Sequence, residues 1–411
     1  MASDISVHVD PIKCHARAHP ADLRLELLAT LVLVVFGLLD PAYGQANATR
    51  SEAAVLLPAW SKPYANLKLV PTELTWISVA LSSNARCSAI AGKGMLEVLG
   101  VDGRTLWNWN YGAINRFIVA GPLAVSPMCD QVALAGYSGY KKVWLVDRRG
   151  RAKPLSMSST PLSVAFDRDD KSLAVGTGGN SILLYGVDGK LLWKKIFQPW
   201  CCLPTGISFS ADNRFLLIRE GGAGVLQRDG SVVWTSGAEG MNASRDLQTF
   251  VTWAEPNHGP GGGGIAVLDK YGKTIWEKLS DGPSAAITSA GDKIVARVAI
   301  NQNPTREDLE EPLETNVQVF SRDGSILKVF PHVDGRPVAI SPSGDCVVVD
   351  SQEGIEGIRL DGKPIFSIGL DHTYFSTVIF AEDFSGALVF SRNLDPQLSW
   401  YKLTCEASGP Q

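Results

Sequence analysis

Residues Ser181–Trp193 read SILLYGVDGKLLW: an alternating run, an Asp-Gly pair, and a second run with a tryptophan four residues beyond the glycine. Asp-Gly between alternating runs signals a hairpin, since a type I′ turn needs positive φ at both central residues. The phrase returns as MLEVLGVDGRTLW ending at Trp107, GVLQRDGSVVW ending at Trp234 and IAVLDKYGKTIW ending at Trp276. Weaker copies are KKVWLVDRRG ending at Gly150, VQVFSRDGSIL ending at Leu327 and IEGIRLDGKPIF ending at Phe366. The turn glycines Gly103, Gly150, Gly189, Gly230, Gly272, Gly324 and Gly362 stand 38 to 52 residues apart, a period that suits four short strands per copy. The signature is carried by Asp102, Gly103 and Trp107, by Asp188, Gly189 and Trp193, by Asp229, Gly230 and Trp234, by Asp269, Gly272 and Trp276, and by Asp361 and Gly362. A tryptophan at one constant place on the next strand can wedge between neighbouring sheets, its indole N–H on a local acceptor.

Upstream of each hairpin lies another pair of strands, from VALSS with CSAIAG through VAISP with CVVVDS to VIFAE with ALVFSR, and eight first strands are countable. The last copy offers only three, ending in QLSWYKL. A spare strand from the segment between Ala53 and Val70, which contains AVLLP and LKLV, would complete that sheet and remove its open edge. The expected fold is all-β, a single β-propeller of eight four-stranded blades closed by an N-terminal strand; seven blades is the alternative if the Met241 copy is irregular. Long helical periodicity is absent after the leader, which disfavours an α/β enzyme fold.

Around this body, residues Leu27–Leu39 form an apolar run of 13, preceded by Lys13, Arg17 and Arg24. That is short for a membrane span and right for an export signal. Cleavage is expected near Asn47, with an uncleaved anchor, and hence membrane attachment, as the alternative. The expected layout is a leader at 1–46, an N-terminal segment at 47–75, the propeller at 76–405 and a tail at 406–411. Six cysteines follow the leader, Cys87, Cys129, Cys201, Cys202, Cys346 and Cys405, an even number that permits disulfides without specifying their pairing. Asn47-Ala48-Thr49 and Asn242-Ala243-Ser244 are glycosylation sequons, relevant only in a glycosylating host. With 38 basic against 42 acidic residues there is no excess positive charge for nucleic acid.

The copies resemble the blades of pyrroloquinoline-quinone-type quinoproteins, which carry an Asp, Gly and downstream Trp like Asp188, Gly189 and Trp193. Phrases such as VAISPSGDCVVV from Val338 also resemble tryptophan-aspartate repeats. The resemblance spans roughly residues 76 to 404 and implies the propeller fold rather than one activity. It also implies that Cys201-Cys202 would form an adjacent-cysteine disulfide beside a quinone, on which Trp200 could stack. This chain departs from that family in length. The family's calcium-binding Glu and Asn and its catalytic Asp have no recognisable counterpart.

In such a ring the second-to-third-strand loops and the connections between blades share one face. The unusual ones fall there: FQPWCCLPTG from Phe197, GPGGGG from Gly259, NQNPTREDLEEPLET from Asn301, PHVDGR from Pro331 and LDHTYF from Leu370. His332 with Asp334 and His372 with Asp371 stand about one repeat apart in two of them. Convergence on a ligand or partner is one reading, and tolerated surface insertion is the plainer one. Three scattered His make no zinc pattern, and neither GxSxG nor HExxH is present. The sequence therefore favours an exported, non-catalytic platform binding an unknown protein or small ligand at Trp200, Cys201, Cys202, His332, Asp334, Asp371 and His372, with no cofactor. A quinoprotein-like oxidoreductase with quinone and calcium at the axial channel is the alternative.

Overall fold

The computed structural model describes residues 54–64, 77–111, 120–136, 140–197, 203–254, 263–280, 284–301, 314–331, 333, 335–351, 353–370, 377–391 and 396–405. All belong to the second of two compact units, Met1–Arg50 and Ser51–Gln411. Among the described residues the regular structure is entirely strand.

After β1 (Ala54–Val55) and β2 (Trp60–Pro63), strands follow in groups of four. The first is β3 (Ser78–Leu81), β4 (Cys87–Gly92), β5 (Met95–Gly100) and β6 (Thr105–Asn110). The second is β7 (Ala120–Val125), β8 (Gln131–Gly136), β9 (Lys142–Asp147) and β10 (Ala152–Ser156). The third is β11 (Pro161–Phe166), β12 (Ser172–Thr177), β13 (Ser181–Gly186) and β14 (Leu191–Ile196). The fourth is β15 (Gly206–Phe209), β16 (Phe215–Glu220), β17 (Ala223–Gln227) and β18 (Val232–Ser236). The fifth is β19 (Gly240–Ala243), β20 (Thr249–Ala254), β21 (Gly264–Asp269) and β22 (Thr274–Leu279). The sixth is β23 (Ala285–Ile287), β24 (Lys293–Ala299), β25 (Thr315–Ser321) and β26 (Ile326–Phe330). The seventh is β27 (Arg336–Ile340), β28 (Cys346–Ser351), β29 (Gly354–Arg359) and β30 (Pro364–Gly369), and the chain ends with β31 (Thr377–Phe380), β32 (Gly386–Ser391) and β33 (Gln397–Lys402).

Each group is an antiparallel meander in chain order. The fourth and fifth are joined into one sheet by a single pairing, Glu220 opposite Gly240. β2 pairs antiparallel with β33, placing Trp60 opposite Trp400, so the last three strands gain a fourth from the N-terminal segment. That strand lies between the two phrases read from the sequence. The Ala54–Val55 start of AVLLP instead adds in parallel to β30, and LKLV lies outside the described residues.

The hairpins correct the expected turn type. Gly103, Gly189, Gly230 and Gly362 have φ from 76° to 93°, but the Asp before each does not have positive φ, so these are not type I′ turns. Gly103 N–H donates to the Gly100 carbonyl and Gly100 N–H to that of Arg104, with a register shift just before, in the manner of a glycine bulge. The Asp carboxylate accepts the N–H two residues on, from Arg104 to Asp102, Lys190 to Asp188 and Lys363 to Asp361. The repeated Asp therefore satisfies a bulge amide, as Asx turns do.

Trp107, Trp193, Trp234 and Trp276 take one register position, opposite Val98, Leu184, Val225 and Val267. Their rings reach the next group. A Cβ on Gly272 would lie 2.7 Å from the Trp234 ring and one on Gly324 2.9 Å from Trp276, so the turn needs glycine for close approach as well as for φ. Trp193 and Trp276 donate their indole N–H to the Arg228 and Arg322 carbonyls, whereas the Trp234 N–H is buried without an acceptor. Trp60 repeats the arrangement without a matching sequence phrase. It donates to the Val101 carbonyl and covers Gly103.

A second recurrent device lies between the first two strands of each group. Eight residues there have positive φ: Ala85, Cys129, Asp170, Asn213, Leu247, Gly291, Gly344 and Phe384. Six are not glycine and carry backbone strain. In most of these turns a buried hydroxyl at the start accepts the N–H five residues on, as Ser82 does from Cys87 and Ser341 from Cys346. The core is divided in the same rhythm. Eight buried clusters each lie between two consecutive groups, one of them joining Ile90 and Leu99 of the first group to Leu388, Phe390 and Trp400 of the last.

One covalent bond crosses such a junction: Cys87, opening β4, is disulfide-bonded to Cys129 after β7, 42 residues on. Cys346 and Cys405 are free thiols. Closing a loop of that length is worth about 4 kcal/mol on the chain-entropy account. The variant carrying both Cys87→Ser and Cys129→Ser is expected to lose that amount in urea unfolding. A midpoint within error of the wild type would show that the bond adds nothing to the packing around it.

Candidate functional site

The innermost strands surround two cavities. The larger, about 570 Å³, is lined by first-strand residues such as Ser208, Ala243, Ala286 and Ala339, and by turn residues including Asn84, Arg168, Arg245 and Glu382. Its mouth is therefore on the side of the tight first-to-second-strand turns. The smaller, about 450 Å³, opens among Gly206, Glu220, Trp253, Ser284 and Pro337, at the opposite ends of the strands. Ser208, Arg219, Asn242 and Val338 line both, so the cavities meet there. Volumes of this size suit a small-molecule site, and the wall of the larger cavity mixes small and apolar residues with nearly as many polar and charged ones.

Arg219 reaches this junction through a backbone irregularity. Along β15 and β16, Ile207 pairs with Ile218 and Gly206 with Glu220, so Arg219 has no partner in the ladder. A bulge of this kind re-aims a side chain. Its guanidinium donates to the Asn242 side-chain oxygen, and the Asn242 amide donates in turn to the Ala285 carbonyl at 2.8 Å. Desolvation pulls the Arg219 pKa down, countered by the more distant carboxylates of Glu382 and Glu220. Across the wider mouth Arg168 and Glu382 form an ion pair.

Asn242 belongs to a sequon, but it is half-buried on β19 with both ends of its amide engaged. Folded chains do not present it for glycosylation. Beside the mouth, burial pushes Asp170 up to about 6, aided by the charges of Asp130 and Asp167 and opposed by the Met128 N–H. Among the described residues no group of three or more His, Cys, Asp and Glu is placed to hold a metal ion.

Trp200, Cys201, Cys202, His332, Asp334, Asp371 and His372 all lie outside the described residues. The axial residues were missed by motif reading. The signal for Arg219 is present in FLLIRE, where a cation interrupts a second strand whose counterparts CSAIAG, QVALAG and SLAVGT are uncharged.

Among solved structures similar to this chain in fold are these three. BamB from Moraxella catarrhalis is similar with TM-score 0.56 and 15% identity, over 85% of this chain and 100% of that one. The Dos1 propeller gives TM-score 0.58 and 14% identity over 85% and 96%, and the C-terminal WD40 domain of Sif2 gives 0.57 and 11% over 86% and 100%. The fold is a β-propeller. At these identities the likeness carries the fold alone. No protein-family model matches the sequence, and no curated protein matches it. No helix among the propeller's described residues is long and apolar enough to cross a membrane.

Proposed function

We propose that the chain is an exported, non-catalytic propeller of eight blades, closed by β2, that acts as a binding platform. The blade count is supported by the eight recurrent positive-φ turns and by the cluster joining the last strands to the first group. Export is supported by the apolar run at Leu27–Leu39 and by the Cys87–Cys129 disulfide, a bond characteristic of oxidising compartments. We take the leader to be 1–46 and the ring to comprise the closing strand within 47–75 together with 76–405, followed by a tail at 406–411.

The observation that carries the binding reading is the smaller cavity. Its mouth residues Gly206, Ser284 and Pro337 stand at the starts of first strands, at the end of the scaffold opposite the tight turns, where connections from the preceding groups arrive. Trp200, Cys201, Cys202, His332, Asp334, Asp371 and His372 stand on such connections as candidate contacts for a protein or small ligand. The test has two arms. Incubation of the exported chain with pyrroloquinoline quinone and calcium is expected to leave no bound chromophore and no alcohol-dependent dye reduction. Replacing 331–336 or 370–375 by Gly-Ser linkers is expected to abolish partner capture while the thermal transition persists. A stoichiometric chromophore with turnover would overturn the non-catalytic reading, and unchanged capture by both variants would overturn the choice of face.

A further inference from the structure

Three arginines and three carboxylates line the axial cavities, but at their junction Arg219 makes no ion pair among the described residues. Arg168 and Glu382 are paired with each other, and Asp383 accepts the Ser385 N–H at 3.0 Å. Asp212, next in sequence to the lining residue Ala211, is paired with Arg214. Arg219 hydrogen-bonds only the neutral Asn242 oxygen among the described residues, with Glu382 and Glu220 acting on it from beyond ion-pair distance, and the Arg245 side chain, at the wider mouth, has no partner there. Glu220 lines the smaller cavity but is exposed. A guanidinium enclosed without a carboxylate is costly, because desolvation is repaid only by close pairing. It carries five N–H donors in a planar fork, and Asn242 accepts from one nitrogen.

The surroundings are built rather than incidental. The ladder skips Arg219 so that its side chain leaves the sheet. The Asn242 amide is locked by the Ala285 carbonyl, which presents its oxygen to the guanidinium and steers the fork. Ser208 and Val338 complete the junction with small neutral groups, leaving the cavities open on both sides.

We propose that the junction of the two cavities is an anion site, in which the Arg219 guanidinium takes the carboxylate or phosphate group of a small organic ligand in a forked pair of hydrogen bonds. Planar forked pairing is what arginine offers and lysine does not. The combined cavities accommodate a molecule of ordinary metabolite size, with the rest of the ligand against Ala243, Ala286 and Ala339. This site is separate from partner capture by the long connections, so either can fail without the other.

The test is titration of the full exported chain with citrate and with inorganic phosphate at matched ionic strength, followed by calorimetry and thermal unfolding. A saturable one-to-one response to at least one anion is expected, and comparison of the two separates carboxylate from phosphate recognition. Arg219→Lys is expected to weaken it at least tenfold. Asn242→Asp, which places an internal carboxylate on the guanidinium, is expected to abolish the response in a folded chain, so the proposal stays testable if the Arg219 variant fails to fold. No saturable response to either anion, or one that survives both substitutions, overturns it.

Discussion

Removal of residues 54–64 is expected to leave a chain that no longer unfolds in one cooperative transition, although the deleted segment is short. β2 covers the edge of β33 along four registered pairs, Trp60 with Trp400 through Pro63 with Gln397. Trp60 packs on Gly103 and Tyr64 is 3% exposed in the cluster between the first and last groups. The same segment supplies two partners of a buried carboxylate on β5. Glu97 accepts from Lys62 Nζ and Tyr64 Oη, both at 2.7 Å, and from Thr105 Oγ1 at 2.6 Å. Withdrawing Lys62 and Tyr64 leaves that carboxylate without its cation and with Thr105 as its one remaining side-chain donor, at a cost of about 3–5 kcal/mol. Exposing two large aromatic contacts adds about 1.5–3 kcal/mol each. Against a typical domain stability of about 5–15 kcal/mol, the truncated chain is expected to aggregate or to melt roughly 10 °C or more below the full chain. A truncated chain that stays monomeric with an unchanged Tm would show that β2 is dispensable.

Glu97 gives the latch a pH signature. Burial alone would raise its pKa, but the hydrogen bonds from Lys62, Thr105 and Tyr64 outweigh burial and hold it below its ordinary value near 4.5. A folded-state pKa below the unfolded one contributes stability that is complete above the unfolded value and lost as pH falls through the folded one. Wild type is therefore expected to exceed Glu97→Gln in Tm at neutral pH, with the gap closing below about pH 4.5. A gap that stays constant from pH 7 to pH 3 contradicts this assignment.

Arg228→Ala is expected to destabilise the chain by about 3–5 kcal/mol, because it strands a charge that has no access to water. Asp167 is 0% exposed. One of its oxygens accepts from Arg228 Nη2 at 2.6 Å and the other from the Lys171 N–H at 2.8 Å. The guanidinium also donates to Ser172 Oγ at 2.8 Å and to the Asn213 carbonyl at 3.1 Å, bridging the third and fourth groups. The Arg228 carbonyl meanwhile accepts the Trp193 indole N–H, so side chain and backbone hold one junction. Lysine is expected to recover only part of the loss, since it lacks the planar fork. Asp167→Asn in the Arg228→Ala background is expected to recover more, by removing the stranded charge. Urea unfolding of the cycle measures the coupling. A single-variant loss under 1 kcal/mol would mean that Asp167 finds water or another donor.

The contrast between these two sites shows what was legible. Gly103, Gly189 and Trp193 announced hairpins because a turn glycine and a strand aromatic act within a dozen contiguous residues. Asp188 differs in detail from its local signal: Asp-Gly suggests type I′, whereas the side chain accepts the bulge amide of Lys190. Trp60 shows the limit of phrase matching, since it holds the blade position with no Asp-Gly upstream. The Ser82 and Ser341 turns were present in VALSS and VAISP, but a serine there gives no hint that it accepts the N–H five residues on.

The candidate site divides in the same way. Arg219 was visible as a charge in an apolar strand, and Asn242 as a sequon. Neither observation puts one against the other, because the contact depends on a bulge in β16 and on two groups sharing a wall. Their pairing is a property of how two consecutive groups meet.

By itself, then, the sequence determined the repeat, its four-strand rhythm, the turn glycines and the tryptophans that face the next group, since these follow from period-two alternation and local turn chemistry. Tertiary structure alone decided that Trp60–Pro63 joins β33, that Cys87 meets Cys129, that Asp167 depends on Arg228, and that Arg219 stands where two cavities meet. Each of those joins residues distant in the chain, and local preference carries no information about which distant partner a side chain will touch.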